Sequence, residues 1–396
     1  MRLEATPELE AFRRSVRAFV AAHGPGTKAH AGVRAPAPEL VPAIQAWSAQ
    51  LYSAGFLGID WPAEYGGRPQ AHPLEPFIVA EEIARAGTWP PIGAATLAAG
   101  AVIDFGTAAQ RDRLLPRIRS GEDIWCQLFS EPGAGSDLAA LRTRARREGD
   151  GEDAVYVVDG QKVWTTNGQH ATMGYLLART DPEVPKHQGI TAFALDMRTP
   201  GVEIRPLREI TGTADFNEVF LDGVRIPAAN VIGPVNGGWR VAMSSLARER
   251  SGVAARGAEL FTVLADLLRL AAATPVKGGS ALEDSATQQS LGALAARVHV
   301  NAAIVNLAQS RLLHGTEQPA DAALGKVFFS ELNHDLAGFG LRLQGTAGLR
   351  TESDPEVVAG GWWQDAHLYS RAYTIAGGAN EILRTQIAER GLGMPR

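Results

Sequence analysis

The chain has 396 residues, is 45% hydrophobic and 20% charged, and carries a net charge of −5. This globular composition excludes a disordered chain, a collagen and a disulfide scaffold, and the slightly acidic balance leaves no electrostatic footprint for nucleic acid. Cys126 is the single cysteine, so an intrachain disulfide is impossible and a zinc cluster is not expected. No apolar run reaches the roughly 18 residues of a membrane span. The first residues, mixed in charge, lack the apolar stretch of a signal peptide. A cytoplasmic protein with no membrane span is the expectation.

Residues 1–122 read as helical. Leu9, Phe12, Val16 and Phe19 recur at spacings of three and four, one face of a helix. Pro25, Pro36, Pro38 and Pro42 make residues 24–42 a loop, and helices are expected at 44–51, 77–86 and 108–119. Over residues 123–236 the apolar stretches become short and β-rich. Strands are expected at 154–158, 162–165, 175–178, 191–195, 202–204 and 218–221. Asp159-Gly160 reads as the turn of a hairpin between the first two, and Asp222-Gly223 as another turn. Strands in succession without intervening helices predict an antiparallel barrel or sandwich. Over residues 237–396 helices return at 239–270, 291–313, 322–339 and 381–389, with 274–285 as a loop. The class is α+β, in three zones.

Four clusters carry chemistry. Glu131-Pro-Gly-Ala-Gly-Ser-Asp137 allows close backbone approach and offers the Ser136 hydroxyl, so it can cradle a phosphate or a cofactor edge; a tight connection has the same composition. Trp164-Thr165-Thr166-Asn167-Gly168 sets a Trp beside hydroxyls, which suits a flat aromatic cofactor or a core Trp at a strand end. Glu249-Arg250 lies in a long helix whose face also carries Ala242, Ser245, Gly252, Val253 and Arg256, leaving room for a ligand; a solvated glutamate fits the helix pattern as well. Gly377-Gly378-Ala379-Asn380-Glu381 precedes the last helix, with Asn380 as its expected N-cap. The nine histidines show no metal-binding spacing, and no nucleophile elbow or phosphate-binding Gly-Lys loop occurs.

In this order and at these distances the clusters resemble the acyl-CoA dehydrogenase family over nearly the whole chain. Trp61-Pro-Ala-Glu-Tyr-Gly-Gly67, Ser130-Glu-Pro-Gly-Ala-Gly-Ser-Asp137, Trp164-Thr-Thr-Asn-Gly168 and Ala379-Asn-Glu-Ile-Leu-Arg384 carry the resemblance. It implies an N-terminal helical domain (1–122), a middle antiparallel β-barrel (123–236) and a C-terminal four-helix bundle (237–396). It also implies FAD, an acyl-CoA substrate converted to a trans-2-enoyl-CoA, electron-transfer flavoprotein as acceptor, and a homotetramer or heterotetramer. By similarity Leu128, Phe129, Ser130 and Ser136 line the flavin and its diphosphate. Trp164 packs on the isoalloxazine, Thr165 and Thr166 meet its edge, Gln344 and Gly345 serve the FAD of a neighbouring subunit, and Ala379 and Glu381 meet the cofactor.

Two departures bear on mechanism. Many family members place the catalytic glutamate in the terminal loop, at the position held here by Gly377. Isovaleryl-CoA dehydrogenase and some relatives place it instead on the first long helix of the bundle, where Glu249 falls. The resemblance therefore implies Glu249 as base, Arg250 as its orienting neighbour, the Gly377 N–H as a donor to the thioester oxygen, and Ser136 and Arg250 beside the substrate. The Arg-x-x-Phe-Gly segment that often reaches FAD across the dimer is missing between 270 and 291. A half-site subunit of a heteromer and an oxygen-using relative of the same fold are the alternatives.

Overall fold

The computed structural model describes residues 6–26, 30–255 and 257–395, with the backbone alone at residue 152 and at residues 247–255. Two compact units form. One comprises Val33–Ala71 and Trp89–Glu249, the other Met1–Gly32, His72–Thr88 and Arg250–Arg396.

The first unit is built on eight strands, β1 (Trp125–Leu128), β2 (Arg144–Glu148), β3 (Val155–Lys162), β4 (Met173–Arg179), β5 (Ile190–Asp196), β6 (Val202–Leu207), β7 (Phe216–Pro227) and β8 (Val231–Ile232). They form one sheet in the order β6-β7-β3-β2-β4-β5-β8, with β1 also on β4. The expected antiparallel barrel is corrected on two counts. The sheet is not closed, since β6 and β8 stand at its two ends, and β1 and β2 both pair with β4 in parallel. β1 pairs along Met173 to Leu176 and β2 at Arg179. The two strands thus lie end to end on one edge of β4, and the loop of residues 129–143 is the gap between them.

Both Asp-Gly turn signals are also corrected. Asp159-Gly160 lies inside β3 and Asp222-Gly223 inside β7, and the two pairs face each other where the register shifts between Val158 and Gly160. Between the pairs Val158–Val224 and Gly160–Leu221, one residue of β3 opposes two of β7, which is the count of a β-bulge. Gly223 takes φ 60, and its N–H donates to Asp159 Oδ1 at 2.8 Å. The turn chemistry is used to bend a strand pair. β3 ends at Lys162, although Thr165 still exchanges main-chain hydrogen bonds with Asn217 at the start of β7.

Helices α1 (Pro7–His23), α2 (Val41–Ser53), α3 (Glu75–Arg85), α4 (Ala95–Phe105) and α5 (Ala108–Arg119) precede the sheet. After it come α6 (Gly238–Ala255), α7 (Gly257–Ala273), α8 (Ser285–His314), α9 (Asp321–Leu343), α10 (Trp362–Ile375) and α11 (Asn380–Gln386). The expected helix at 239–270 is assigned as α6 and α7, and Arg256 between them lies outside the described residues. Residues 274–285 contain a short hairpin, Pro275–Val276 against Gly279–Ser280. Asn380 is not the cap of α11: Ala379 is, and Asn380 is its first residue, with a buried side chain. By length and composition α8 could cross a membrane, but Leu291, Leu294 and Val298 along it are buried in a core with Leu264, Leu332 and Trp363.

Within the first unit α6 starts against the sheet. A Cβ on Gly238 would stand 2.6 Å from the Thr191 carbonyl carbon, so only glycine permits this approach. Val241 and Ala242 join Tyr175, Ile190 and Ala192 in one core, and the Tyr175 hydroxyl meets Ser245 Oγ at 3.2 Å. Ala242 and Ser245 are therefore small because they pack on the sheet, which corrects their assignment to an open pocket.

Replacing Gly223 by Val forces a β-branched residue into left-handed backbone, where the penalty is about 1–2 kcal/mol. Urea unfolding should show that loss with an unchanged m-value.

Candidate functional site

The loop that fills the gap between β1 and β2 is held from below by a buried ion pair. Lys162, fully buried, donates from Nζ to Glu131 Oε1 at 2.8 Å and to the Phe129 carbonyl at 3.1 Å. Glu131 also accepts from the N–H of Arg142 at 2.6 Å and of Thr143 at 2.9 Å. One carboxylate thus ties the start of the loop to its end and to the last residue of β3. Burial works to raise the Glu131 carboxyl, but Lys162 and the donors at Thr143 and Arg142 outweigh it and hold it below its ordinary value. Burial pushes Lys162 down to about 8, against the attraction of Glu131. Glu131 and Ala134 exchange backbone hydrogen bonds, both 3.0 Å, closing a tight turn.

Above this floor the loop presents donors. The N–H groups of Gly133, Gly135 and Ser136 make no hydrogen bond to the described residues. Ser136 is exposed and Ser130 half-buried. Beside the loop opens a cavity of about 540 Å³ whose lining includes Leu141, Arg142, Arg144, Arg179, Glu183 and Lys186. Arg179 donates to the carbonyls of Leu141, Lys186 and Ala139, so its charge is fixed in place, and Lys186 pairs with Asp137 at 2.8 Å. The side chains of Leu128 and Phe129 are core residues, Phe129 edge-on to Tyr175. What these two can present to a ligand is main chain.

The second segment joins the first where the Val163 N–H donates to the Ser130 carbonyl at 2.9 Å. Trp164 then takes φ 60, a conformation that costs a bulky residue energy and persists where the surroundings over-determine it. The residue is 60% exposed, and its ring stands edge-on to Phe216 at 5.9 Å between centroids. The next residue anchors the backbone: Thr165 and Asn217 exchange N–H···O bonds, both 3.0 Å, and Asn217 Nδ2 adds a bond to the Thr165 carbonyl at 3.0 Å. Asn167 is left-handed at φ 56 and donates to the Asp215 carbonyl. Asp215 itself is held by the buried Arg34 at 2.9 Å and by the Ala35 N–H at 2.7 Å. Thr165 Oγ1 and the Oδ1 atoms of Asn167 and Asn217 are buried without a partner, a concentration of unmet polar atoms that native interiors tolerate mainly at functional places. Thr166 is half-buried and its hydroxyl bonds to no described residue.

In the second unit, the terminal loop is held by another buried lysine. Lys326 on α9 donates to the Gly378 carbonyl at 2.7 Å and to Asn380 Oδ1 at 2.9 Å. Asn380 Nδ2 in turn donates to Ser330 Oγ at 3.0 Å and to Glu331 at 3.2 Å. Ala379 is half-buried and Glu381 exposed. Gln344 ends α9, its Nε2 bonded to the Gly340 carbonyl at 3.0 Å, and Gly345 follows at φ 55. The side chains of Glu249 and Arg250 lie outside the described residues.

Sequence reasoning found the loop, Trp164 and the terminal glycines, and missed the groups that hold them: Glu131 with Lys162, Asn217, Asp215 with Arg34, and Lys326. A signal was available for the two lysines. Lys162 continues the inward set of Tyr156, Val158 and Gly160 in β3, and Lys326 shares a helical stripe with Ala323, Val327 and Ser330. A lysine on a buried stripe needs a partner.

Lys162→Met strands the Glu131 carboxylate and should cost about 3–5 kcal/mol in chemical unfolding. Adding Glu131→Gln should recover part of that loss. Because the Glu131 carboxyl titrates below 4.5 in the folded chain, its contribution is present above that pH and is lost as pH falls through the folded value.

Comparison with known proteins follows the same three zones. The family descriptions "Acyl-CoA dehydrogenase, N-terminal domain", "middle domain" and "C-terminal domain" match residues 6–122, 126–224 and 236–392. Acyl-CoA dehydrogenase IpdE1 of Mycobacterium tuberculosis is 37% identical over 98% of both chains. Acyl-CoA dehydrogenase FadE34 of the same organism is 41% identical over 87% of this chain, which spans 46% of that longer protein. Among solved structures, the Tcur3481-Tcur3483 steroid ACAD superposes with a TM-score of 0.88 at 30% identity, covering 100% of both chains. The ChsE4-ChsE5 complex from M. tuberculosis does so with a TM-score of 0.84 at 32% identity, also over 100% of both. The chain belongs to the acyl-CoA dehydrogenase family of oxidoreductases.

Proposed function

We propose that the chain is an FAD-dependent dehydrogenase that removes hydrogen from Cα and Cβ of a bulky acyl-CoA thioester. The observation that carries the reading is Trp164, an exposed ring on left-handed backbone, fixed by Asn217 and adjoining the donor loop. An exposed aromatic face held this rigidly suits a flat ring system. Trp164 would cover the isoalloxazine, and Thr165 and Thr166 would meet its edge. Ser130, Ser136 and the unpaired N–H groups of Gly133 and Gly135 would take the diphosphate, as backbone N–H arrays take anions. The cationic cavity beside the loop suits the phosphates of coenzyme A. Gln344 and Gly345 would serve the FAD of a neighbouring subunit, and Ala379 and Glu381 would meet the cofactor.

Bound FAD supplies a two-electron acceptor for the hydride leaving Cβ, and electron-transfer flavoprotein removes the electrons afterwards. The protein's own task is the α-proton. A thioester α-proton is too weakly acidic for an unaided carboxylate, so the developing enolate oxygen needs donors. The Gly377 N–H, unpaired within the described residues, would be one. Glu249 would accept the proton and Arg250 would orient it. The glycine at 377 supports this division, because the usual position for the base holds no side chain.

The preference for a bulky acyl group rests on the likeness to the Tcur3481-Tcur3483 steroid ACAD. The likeness to the ChsE4-ChsE5 complex supports a second reading of this chain as one of two different subunits in a tetramer.

The test is the visible spectrum of the purified chain, then anaerobic addition of straight-chain, cyclic and steroid-type acyl-CoA thioesters. Flavin absorbance bleached by a bulky substrate is expected, and Glu249→Gln should keep the flavin while losing about 10²–10⁴-fold in kcat. A yellow Glu249→Gln variant with normal turnover would remove the base assignment. Colourless protein that turns yellow only with a second subunit would establish the heteromeric reading.

A further inference from the structure

The terminal loop is made of residues that cannot hold themselves in place. Gly377 and Gly378 adopt φ 66 and 100, and consecutive glycines give the chain more conformational freedom than any other pair. The N–H groups of Gly377, Gly378 and Ala379 bond to no described residue, and no side chain projects from position 377. Two contacts among the described residues fix the segment: the Leu383 N–H on the Ala379 carbonyl at 3.0 Å, and the Lys326 ammonium on the Gly378 carbonyl at 2.7 Å. The same nitrogen holds Asn380 Oδ1 at 2.9 Å, and Ser330 Oγ donates to that oxygen at 3.2 Å. The first residue of α11 is thereby tied to the same point. Burying an ammonium is costly, and Lys326 is 2% exposed, yet its two acceptors are a main-chain carbonyl and an amide rather than a carboxylate.

The geometry has a directional consequence. A peptide unit is planar and trans, so its C=O and N–H point in opposite directions. Drawing the Gly378 carbonyl onto Lys326 turns the Ala379 N–H away from α9. The Gly378 and Gly377 N–H groups, in the two preceding peptide units, also bond to no described residue. We infer that Lys326 is a positioning residue for the reaction: it clamps the 377–379 loop so that its main-chain N–H groups, Gly377 foremost, are already aimed at the thioester oxygen. This rests on the reading of Gly377 given above and deepens it. Lys326 touches neither substrate nor cofactor and acts through the loop. Burial pushes its ammonium down to about 8, against the pull of Glu381 and Glu331, so the clamp is charged at neutral pH.

A clamp of this kind should matter to enolate formation and not to substrate affinity, since preorganised donors act where charge develops. The experiment compares wild type, Lys326→Met, Lys326→Gln and Lys326→Arg, each normalised to bound flavin. It measures the exchange of the substrate's α-hydrogen with D2O by mass spectrometry, together with kcat and KM. Lys326→Met should lose about tenfold or more in both α-exchange and kcat, because a donor misplaced by about 1 Å can cost a hundredfold, while KM stays within about threefold. Lys326→Arg, which keeps a cationic donor, should recover part of the loss, and Lys326→Gln should fall between. Unchanged α-exchange per flavin in Lys326→Met overturns the inference; where that variant does not fold, unchanged exchange in Lys326→Gln does so. A rise in KM alone, or an Arg variant no better than Met, also overturns it. Wild-type enzyme that exchanges no α-hydrogen on any thioester overturns the functional reading itself and the clamp with it.

Discussion

A lysine ammonium placed out of water has to be answered by carbonyls or a carboxylate, and in this protein that demand organises the β unit. Lys162 ends β3 with no exposure and draws Glu131 and the Phe129 carbonyl onto it. Glu131 in turn gathers the N–H groups of Arg142 and Thr143, just before β2. Without this knot, residues 129–143 would be a fifteen-residue span, by numbering, between two strands that share one edge of β4. With it, a glycine-rich stretch can leave its donors unpaired and still keep one shape. The cost of burying charge is offset by the specificity of a single loop conformation, a use for which buried ion pairs have some precedent.

The Trp164 segment depends on the same logic with different groups. Its left-handed residues, Trp164 and Asn167, are held because Asn217 and Asp215 supply main-chain partners to Thr165 and Asn167. Asp215 is itself fixed by the buried Arg34. The strain at Trp164 is therefore maintained by the end of β7, and it keeps a large apolar ring in solvent. Of the other seven tryptophans four are buried and three half-buried, so Trp164 is the one exposed indole, and exposure on over-determined backbone is what a stacking surface requires.

Much of this was legible in the residues. The apolar spacing of Leu9, Phe12, Val16 and Phe19 marks α1, and the short apolar runs at 175–178 and 191–195 mark β4 and β5. The order of the motifs identified the family. Other features were hidden for physical reasons. Asp159-Gly160 and Asp222-Gly223 have hairpin chemistry, and nothing local distinguishes a turn from two pairs that meet in one bulge. α4 is nearly all apolar, so it has no polar face to reveal its period. β1 and β2 enter the sheet in parallel beside β4, a pairing set by tertiary contacts and not by alternation. Ala242 and Ser245 are small for packing on the sheet, a role that composition alone does not separate from lining a pocket.

Lys162 and Lys326 share a device on unrelated elements. Each sits on the buried stripe of a regular element, and each reaches across to a main-chain carbonyl of a glycine-bearing loop, Phe129 before the first and Gly378 within the second. A side chain anchored on a strand or helix carries the rigidity of that element with it, while the loop itself stays free of bulky groups. The loops can then present N–H donors, which are short, fixed in direction and unaffected by pH. That separation lets the terminal loop carry glycine at 377 and still offer a main-chain N–H. A donor that belongs to the backbone does not depend on which side chain its residue carries.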